Sequence, residues 1–407
     1  MNYQITAPKQ WLPVSIQLPA SKSICNRALI LNALSQSPYE VANLSDCDDT
    51  RLMVQALHSN GCDFNVGAAG TTMRFLTAFL SKRIGEWTIT GTERMKNRPI
   101  RVLVAALNQL GAHIEYLEKE GYPPLRIQGT ALQGGEISLA GNVSSQYISA
   151  ILMIAPLTEQ GVTLHLEGDI ISQPYIRMTL QLMAAYGVQA EWSGQTIRVA
   201  PQSYQPIHFA VESDWSAASY WYEIMALSDC SEIELLGLFE QSAQGDAAGA
   251  KLFEQLGVGT EFTDRGVRLF RNGQRADVLH YDFVNEPDLA QTFVVTCTLL
   301  EIPFRFTGLQ SLKIKETDRM EALKAELRKL GYVLIDTEDR ILEWRGERCE
   351  PEAHPVIATY EDHRMAMAFA PAACILPTGI EIASPEVVSK SYPHYWDDLK
   401  CVGFEIR

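Results

Sequence analysis

The sequence predicts an α/β protein of two domains with three repeated units each, and three observations lead there. An amphipathic helix, a glycine and a short strand recur in that order six times, the glycines are regularly spaced, and one polar, proline-containing stretch divides the copies three and three. The helices cover 52–61, 102–111, 178–187, 250–257, 320–331 and 395–403, each leading into a strand such as Ala-His-Ile-Glu-Tyr or Val-Gln-Ala-Glu-Trp. Each glycine falls where a helix C-terminus calls for the left-handed conformation that glycine adopts without a steric penalty. The glycines at 61, 111, 187, 257, 331 and 403 lie 50, 76, 70, 74 and 72 residues apart, so the first interval is some twenty residues short. The stretch 201–214 carries two prolines and precedes a new helix at Trp215, which makes it the expected boundary. The strand before Pro19 has no repeat of its own. If it joins the second half, the domains are 20–213 and 1–19 plus 214–407, and the chain crosses between them twice.

Composition bounds the rest. With 407 residues and 46% hydrophobic content the chain can bury more than one core. A net charge of −15 argues against binding nucleic acid or an anionic membrane, since both need a broad basic surface. Residues 1–20 lack an apolar stretch of signal-peptide length and no run reaches the length of a membrane span, so a cytoplasmic protein is expected. The eight cysteines form no Cys-x-x-Cys pair and read as reduced core residues; the eight histidines show no metal-ligand spacing, and no metal or cofactor is expected. No motif for a partner protein is visible, and a monomer is expected.

Taken in order, residues 17–34 read as strand end, turn and helix, with Ser21 or Ser23 as cap and Ile24, Ala28, Leu31 and Leu34 at helical spacing. The free amides of the first turn lie beside Lys22, and Ser23 and Arg27 share one face, so this helix start suits an anion. A capped helix with solvated basic residues is the plain alternative. Gly67-Ala-Ala-Gly70-Thr-Thr-Met-Arg74 is a glycine-containing turn before an apolar helix, without the spacing of a nucleotide P-loop. Ser144, Ser145 and Gln146 open the next apolar helix, where they can bond a phosphate or simply cap.

The second half repeats the theme. Asp288 stands at a helix start, Lys315-Glu316-Thr-Asp-Arg319 opens another helix and Glu361-Asp-His-Arg364 a third. Asp288 and Asp318 are explicable as N-caps. Lys315, Arg319 and Arg364 are harder to explain, because cations near helix N-termini oppose the dipole unless an anion sits between them.

These residues, in this order, resemble the enolpyruvyl transferase family. The likeness covers the whole chain through Leu-Pro-Ala-Ser-Lys-Ser-Ile-Cys-Asn-Arg-Ala-Leu, Ala-Gly-Thr-Thr-Met-Arg, Asn-Arg-Pro-Ile, Val-Ser-Ser-Gln, Ser-Gln-Pro-Tyr-Ile, Pro-Asp-Leu-Ala, Ile-Lys-Glu-Thr-Asp-Arg, Asp-His-Arg-Met-Ala and Ser-Lys-Ser-Tyr-Pro. The resemblance implies two domains, each of three βαβαββ repeats around a pseudo-threefold axis, with the active site in the interdomain cleft. It implies transfer of the carboxyvinyl group of phosphoenolpyruvate to the 5-hydroxyl of shikimate 3-phosphate, a step toward aromatic amino acids and a target of glyphosate.

By the same resemblance Ser23, Arg27, Ser144, Ser145, Ser172, Tyr175 and Lys315 hold shikimate 3-phosphate. Lys22, Gly70, Arg98, Arg319, Arg364 and Lys390 hold phosphoenolpyruvate, and Gln146 reaches both. Asp288 takes the proton of the attacking hydroxyl, while Glu316 with Lys22 delivers and removes the methylene proton. Because these ligands come from both halves, shikimate 3-phosphate is expected to close the cleft.

Ala68, Phe75 and Ser311 depart from the residues usual in the family, and the short 61–111 interval suggests a missing hairpin in the first domain. Two alternatives stay open. One is a non-catalytic paralogue that binds shikimate 3-phosphate. The other is a transferase acting on a nucleotide-sugar, for which Lys-Asn in place of Lys22-Ser23 and a cysteine between Cys62 and Cys230 are expected and missing.

Overall fold

The computed structural model describes residues 1–12 and 14–407. Their strands form five four-stranded sheets that share one plan. In the sheet that shows it most simply, Gly135–Ala140 runs parallel to Val162–Glu167, with Ile137 opposite Leu164. The helix Ser145–Ile154 makes the crossover that a parallel pair requires. The helix Gln173–Ala185 follows, and then Glu191–Ser193 and Thr196–Val199 form a hairpin whose second strand lies antiparallel to Val162–Glu167. Strand, helix, strand, helix and hairpin make one βαβαββ repeat.

By contacts the chain divides into two compact units, residues 20–211 and residues 1–19 with 212–407. The unit of 1–19 and 212–407 contains three of the sheets. One is completed by the N-terminal strand Asn2–Thr6, which lies between Ile380–Ala383 and Glu405–Ile406. Another pairs Ser15–Gln17 in parallel with Glu232–Leu236, two strands separated in sequence by the whole of the other unit. The core here is aromatic: Phe293 lies 4.3 Å from Phe253 and 5.6 Å from Phe283, and Phe283 lies 5.0 Å from Phe306, centroid to centroid. Each such buried side chain contributes about 1.5–3 kcal/mol.

The unit of 20–211 contains two sheets; among the described residues the place of a third is marked by an isolated parallel bridge between Ala42 and Ala210. The reason lies in the short first interval. After the helix Asp48–His58 the strand Asp63–Asn65 goes directly into a parallel pairing with Gly85–Thr90, without first making a hairpin in a sheet of its own. In the same unit the helix Ser145–Ile154 is buried on nearly every face, packed against Gly70–Lys82 and Gln173–Ala185, which accounts for its largely apolar sequence.

All six helix-to-strand connections form, but the glycines differ. Gly111, Gly187, Gly257, Gly331 and Gly403 have φ of 101°, 85°, 94°, 92° and 107° and end their helices as expected. Gly61 does not adopt positive φ; its helix ends in an extended Ser59, whose hydroxyl accepts the Gly61 amide at 3.0 Å. No disulfide forms among the described residues; Cys25, Cys47, Cys230 and Cys297 are buried but Cys62 and Cys401 are exposed, so the expectation of core cysteines fails at those two. No helix among the described residues is long and apolar enough to cross a membrane.

Candidate active site

The residues singled out from the sequence fall into two groups, one in each unit. In residues 20–211, Lys22 is the first residue of the helix Lys22–Leu34. Ser21 occupies the N-cap position, yet its hydroxyl makes no capping bond. The Lys22 ammonium lies 3.7 Å from the buried Asp49 carboxylate, in the first turn of the helix Asp48–His58.

Arg27 is 2% exposed, and among the described residues it donates to neutral acceptors: Thr179 Oγ1 at 2.7 Å, Ser23 O at 2.9 Å, Ser149 Oγ at 3.1 Å and Tyr175 O at 3.4 Å. No carboxylate among the described residues pairs with it, and burial pulls its pKa down to about 10, so it stays charged at neutral pH. A buried guanidinium satisfied by hydroxyls and carbonyls retains an unneutralised charge that an anion can compensate. Phe75, one of the departures from the family pattern, is a fully buried ring 5.3 Å from this guanidinium.

Ser144 caps the helix Ser145–Ile154 by accepting the Gln146 amide, so the ordinary capping role is real here. The Gln146 side chain donates to Thr71 Oγ1 at 3.0 Å, bringing the second and third motifs together. Gly70 opens the helix Gly70–Lys82, and a Cβ on it would overlap the guanidinium groups of Arg98 and Arg74. The missing side chain is what lets Arg98 lie over this helix start. Ser172 precedes the helix Gln173–Ala185 in a left-handed conformation, φ 54°, unusual for a residue with a side chain and costing about 1–3 kcal/mol. Tyr175, one turn on, donates its amide to the Ser172 carbonyl.

In the other unit, four cations and three carboxylates form a connected cluster. Leu289, not Asp288, occupies the N-cap position of the helix Ala290–Leu299. The Asp288 carboxylate is thus turned to other partners: Arg364 Nη2 at 2.8 Å, Arg319 Nη1 at 3.2 Å and Lys315 Nζ at 3.6 Å. Burial disfavours its ionised form, but the charges of Arg364, Lys315 and Arg319 more than offset this and hold Asp288 well below the usual carboxylate range. Glu316 accepts from Arg319 Nη2 and from Lys390 Nζ, each at 3.0 Å. Asp318 does cap its helix, accepting the Glu321 amide at 3.2 Å.

Several members of these clusters were not legible as such in the sequence. Asp362 accepts Arg319 Nε at 2.7 Å and also caps the helix His363–Phe369 through the Arg364 amide at 2.9 Å. Two consecutive left-handed residues, Tyr360 and Glu361, lead into it. Tyr220 accepts from Arg364 Nη1 at 3.3 Å, and Asp49, Ser149 and Thr179 serve Lys22 and Arg27 as described. A carboxylate adjoining an unexplained arginine was the available signal for Asp362; nothing local marked the others. Ser311 lies in the 3-10 segment Gln310–Ile314 and Ala68 is exposed. Among the described residues no group of His, Cys, Asp and Glu side chains is placed to hold a metal ion.

Cations and carboxylates set at helix starts of βαβαββ repeats define an anion-handling α/β enzyme class. The model of the family described as EPSP synthase (3-phosphoshikimate 1-carboxyvinyltransferase) matches residues 7–65 and 59–399, and the chain belongs to that family. It is 62% identical over 408 residues to a Bacteroides fragilis protein named 3-phosphoshikimate 1-carboxyvinyltransferase, covering 100% of this chain and 99% of the relative. A protein of the same name from Aliivibrio fischeri is 38% identical over 417 residues, covering 95% and 96%. Among solved structures, EPSP synthase from Acinetobacter baumannii superposes with a TM-score of 0.81 at 20% identity, covering 100% of this chain and 99% of that one, a likeness of fold.

Proposed function

We propose that this chain transfers the carboxyvinyl group of phosphoenolpyruvate to the 5-hydroxyl of shikimate 3-phosphate, releasing inorganic phosphate. The observation that carries this is the 62% identity, over the full chain, to a protein named for that reaction. The geometry supports it with two carboxylates, Asp288 and Glu316, joined through the buried guanidinium of Arg319. Addition of a hydroxyl across a carbon–carbon double bond needs one proton taken from oxygen and one given to carbon, so two titratable groups at separate positions suit it.

In the first step Asp288 takes the hydroxyl proton as the oxygen bonds to C2 of phosphoenolpyruvate, and Glu316 with Lys22 supplies a proton to C3. In the second step Glu316 with Lys22 takes a proton back from C3, the double bond returns and the C2–O bond to phosphate breaks, releasing inorganic phosphate. Without substrate both carboxylates are held by cations, and Asp288 in particular is a weak base. Phosphate and carboxylate groups of the substrates compete for Arg319, Arg364, Lys315 and Lys390, loosening that hold. Ser23, Arg27, Ser144, Ser145, Gln146, Ser172 and Tyr175 then bind shikimate 3-phosphate, Lys315 with them, and Lys22, Gly70, Arg98, Arg319, Arg364 and Lys390 bind phosphoenolpyruvate. The chemistry calls for no metal or cofactor, and a cytoplasmic monomer is the proposed working form.

The test is to mix purified protein with both substrates and follow phosphate release. Release that depends on both substrates supports the transferase; tight binding of shikimate 3-phosphate with no release overturns it in favour of a non-catalytic paralogue. Asp288→Ala is expected to abolish turnover while leaving shikimate 3-phosphate affinity within about tenfold.

A further inference from the structure

Asp362 and Arg364 owe their places in the cluster to a turn that its own residues do not favour. The Asp362 amide donates to Thr359 O at 2.8 Å, closing a four-residue turn whose central residues, Tyr360 and Glu361, have φ of 54° and 56°. Turns with positive φ at both central positions are dominated by glycine, asparagine and aspartate, so a tyrosine and a glutamate are steric misfits there. Such a conformation persists only where its surroundings hold it. Here the surroundings are Glu326, a wholly buried carboxylate that the steps above do not use. Its Oε1 accepts the Tyr360 hydroxyl at 2.6 Å and its Oε2 the Ala358 amide at 3.0 Å, so it grips the chain on both sides of Thr359. Lys329 Nζ, 2.7 Å from the same Oε2, also donates to Val356 O at 2.8 Å and ties the strand Val356–Ile357 to this carboxylate.

Glu326 stands seven residues after Arg319 on the helix Arg319–Lys329, two turns further along the same face. That face therefore meets the segment 356–364 at two points: Arg319 holds Asp362, and Glu326 holds Ala358 and Tyr360. Past the turn, Asp362 caps the next helix through the Arg364 amide, and the Arg364 side chain reaches Asp288 at 2.8 Å. We infer that Glu326 is a positioning residue for the phosphoenolpyruvate-binding arginines: by holding the turn 359–362 with positive φ, it sets where Asp362 stands against Arg319 and where Arg364 stands against Asp288. This rests on the proposed role of Arg319 and Arg364 in holding phosphoenolpyruvate. Without Glu326, Tyr360 and Glu361 fall back to the negative φ that their side chains prefer, and the residues that follow move with them.

The test is steady-state phosphate release by wild type, Glu326→Ala and Tyr360→Phe, each with and without Glu361→Gly. Glu326→Ala is expected to raise KM for phosphoenolpyruvate about tenfold, and Tyr360→Phe, which removes one of the two grips on the turn, about threefold. In both, kcat should fall by less than about threefold and KM for shikimate 3-phosphate should stay within about twofold, since what is lost is the placement of groups that bind phosphoenolpyruvate. Glu361→Gly alone, at an exposed position, should leave the constants near those of wild type. Combined with Glu326→Ala it should bring KM for phosphoenolpyruvate back to within about threefold of wild type, because glycine holds positive φ without a steric penalty. A packing defect left by the missing Glu326 side chain would not be repaired by a glycine in the turn. An unmoved KM in Glu326→Ala overturns the inference, and so does a raised KM that Glu361→Gly leaves unrepaired. If Glu326→Ala does not fold by circular dichroism, Tyr360→Phe with and without Glu361→Gly decides by the same two criteria. A wild type with no turnover overturns the proposed reaction and the inference with it, whereas a failure confined to the variants overturns the inference alone.

Discussion

Replacing Asp362 by alanine tests whether the arginine at the centre of the cluster is held by the fold or by its neighbours. Arg319 and Asp362 are both almost completely buried, with Nε to Oδ2 at 2.7 Å and Nη2 to Oδ1 at 3.4 Å. Removing one partner of a buried pair costs about 3–5 kcal/mol, because the remaining charge is left in a medium that solvates it poorly. Here Glu316 at 3.0 Å and Asp288 at 3.2 Å still contact the same guanidinium, which argues for the low end, about 3 kcal/mol. Loss of the cap on the Arg364 amide adds about 1 kcal/mol. The expected total is about 3–4 kcal/mol, with Asp362→Asn, which keeps shape and cap, at about 1–2 kcal/mol. Urea unfolding of Asp362→Ala, Arg319→Met and the double variant gives the coupling directly. A coupling of about 2 kcal/mol or more is expected; single effects that add within about 0.5 kcal/mol would refute the claim that Asp362 holds Arg319.

Other outcomes follow from the same geometry. Gly70→Ala should push the Arg98 guanidinium off the helix start and raise KM for phosphoenolpyruvate about tenfold; since the displaced atoms end a flexible side chain, thermal stability should hardly change. Asp288, with its folded pKa depressed, contributes stability that is present above its unfolded pKa of about 4 and is lost as pH falls through the folded value. The stability gap between wild type and Asp288→Asn should accordingly be constant at neutral pH and narrow in acid, as read by thermal unfolding. Glu223 is the opposite case: both its oxygens are buried with no hydrogen-bond partner among the described residues, and burial raises its pKa well above the ordinary value, with the Thr296 hydroxyl opposing. Its stability contribution is complete below about pH 4.5 and is lost as pH rises toward the folded value, so Glu223→Gln should match wild type in acid and exceed it in stability at alkaline pH.

By itself the sequence determined what depends on neighbours within a turn or two: helices from apolar spacing, five glycine C-termini from the need for positive φ, the Asp318 cap, and the misfit of Lys315, Arg319 and Arg364 at helix starts. The short first interval also carried its consequence, since a strand that makes no hairpin leaves the 20–211 unit with two sheets. Gly61 escaped the pattern because a serine hydroxyl two residues earlier bonds its amide. Tertiary structure alone decided which anions answer the misplaced cations. They are carboxylates of the chain itself, and the Arg319–Asp362 pair joins residues 43 apart in sequence. Only the fold turned Asp288 from a plausible cap into the partner of three cations. The reason is physical: caps and periodicity are short-range properties of the backbone, whereas the charge state of a carboxylate is set by whatever the packed repeats bring around it.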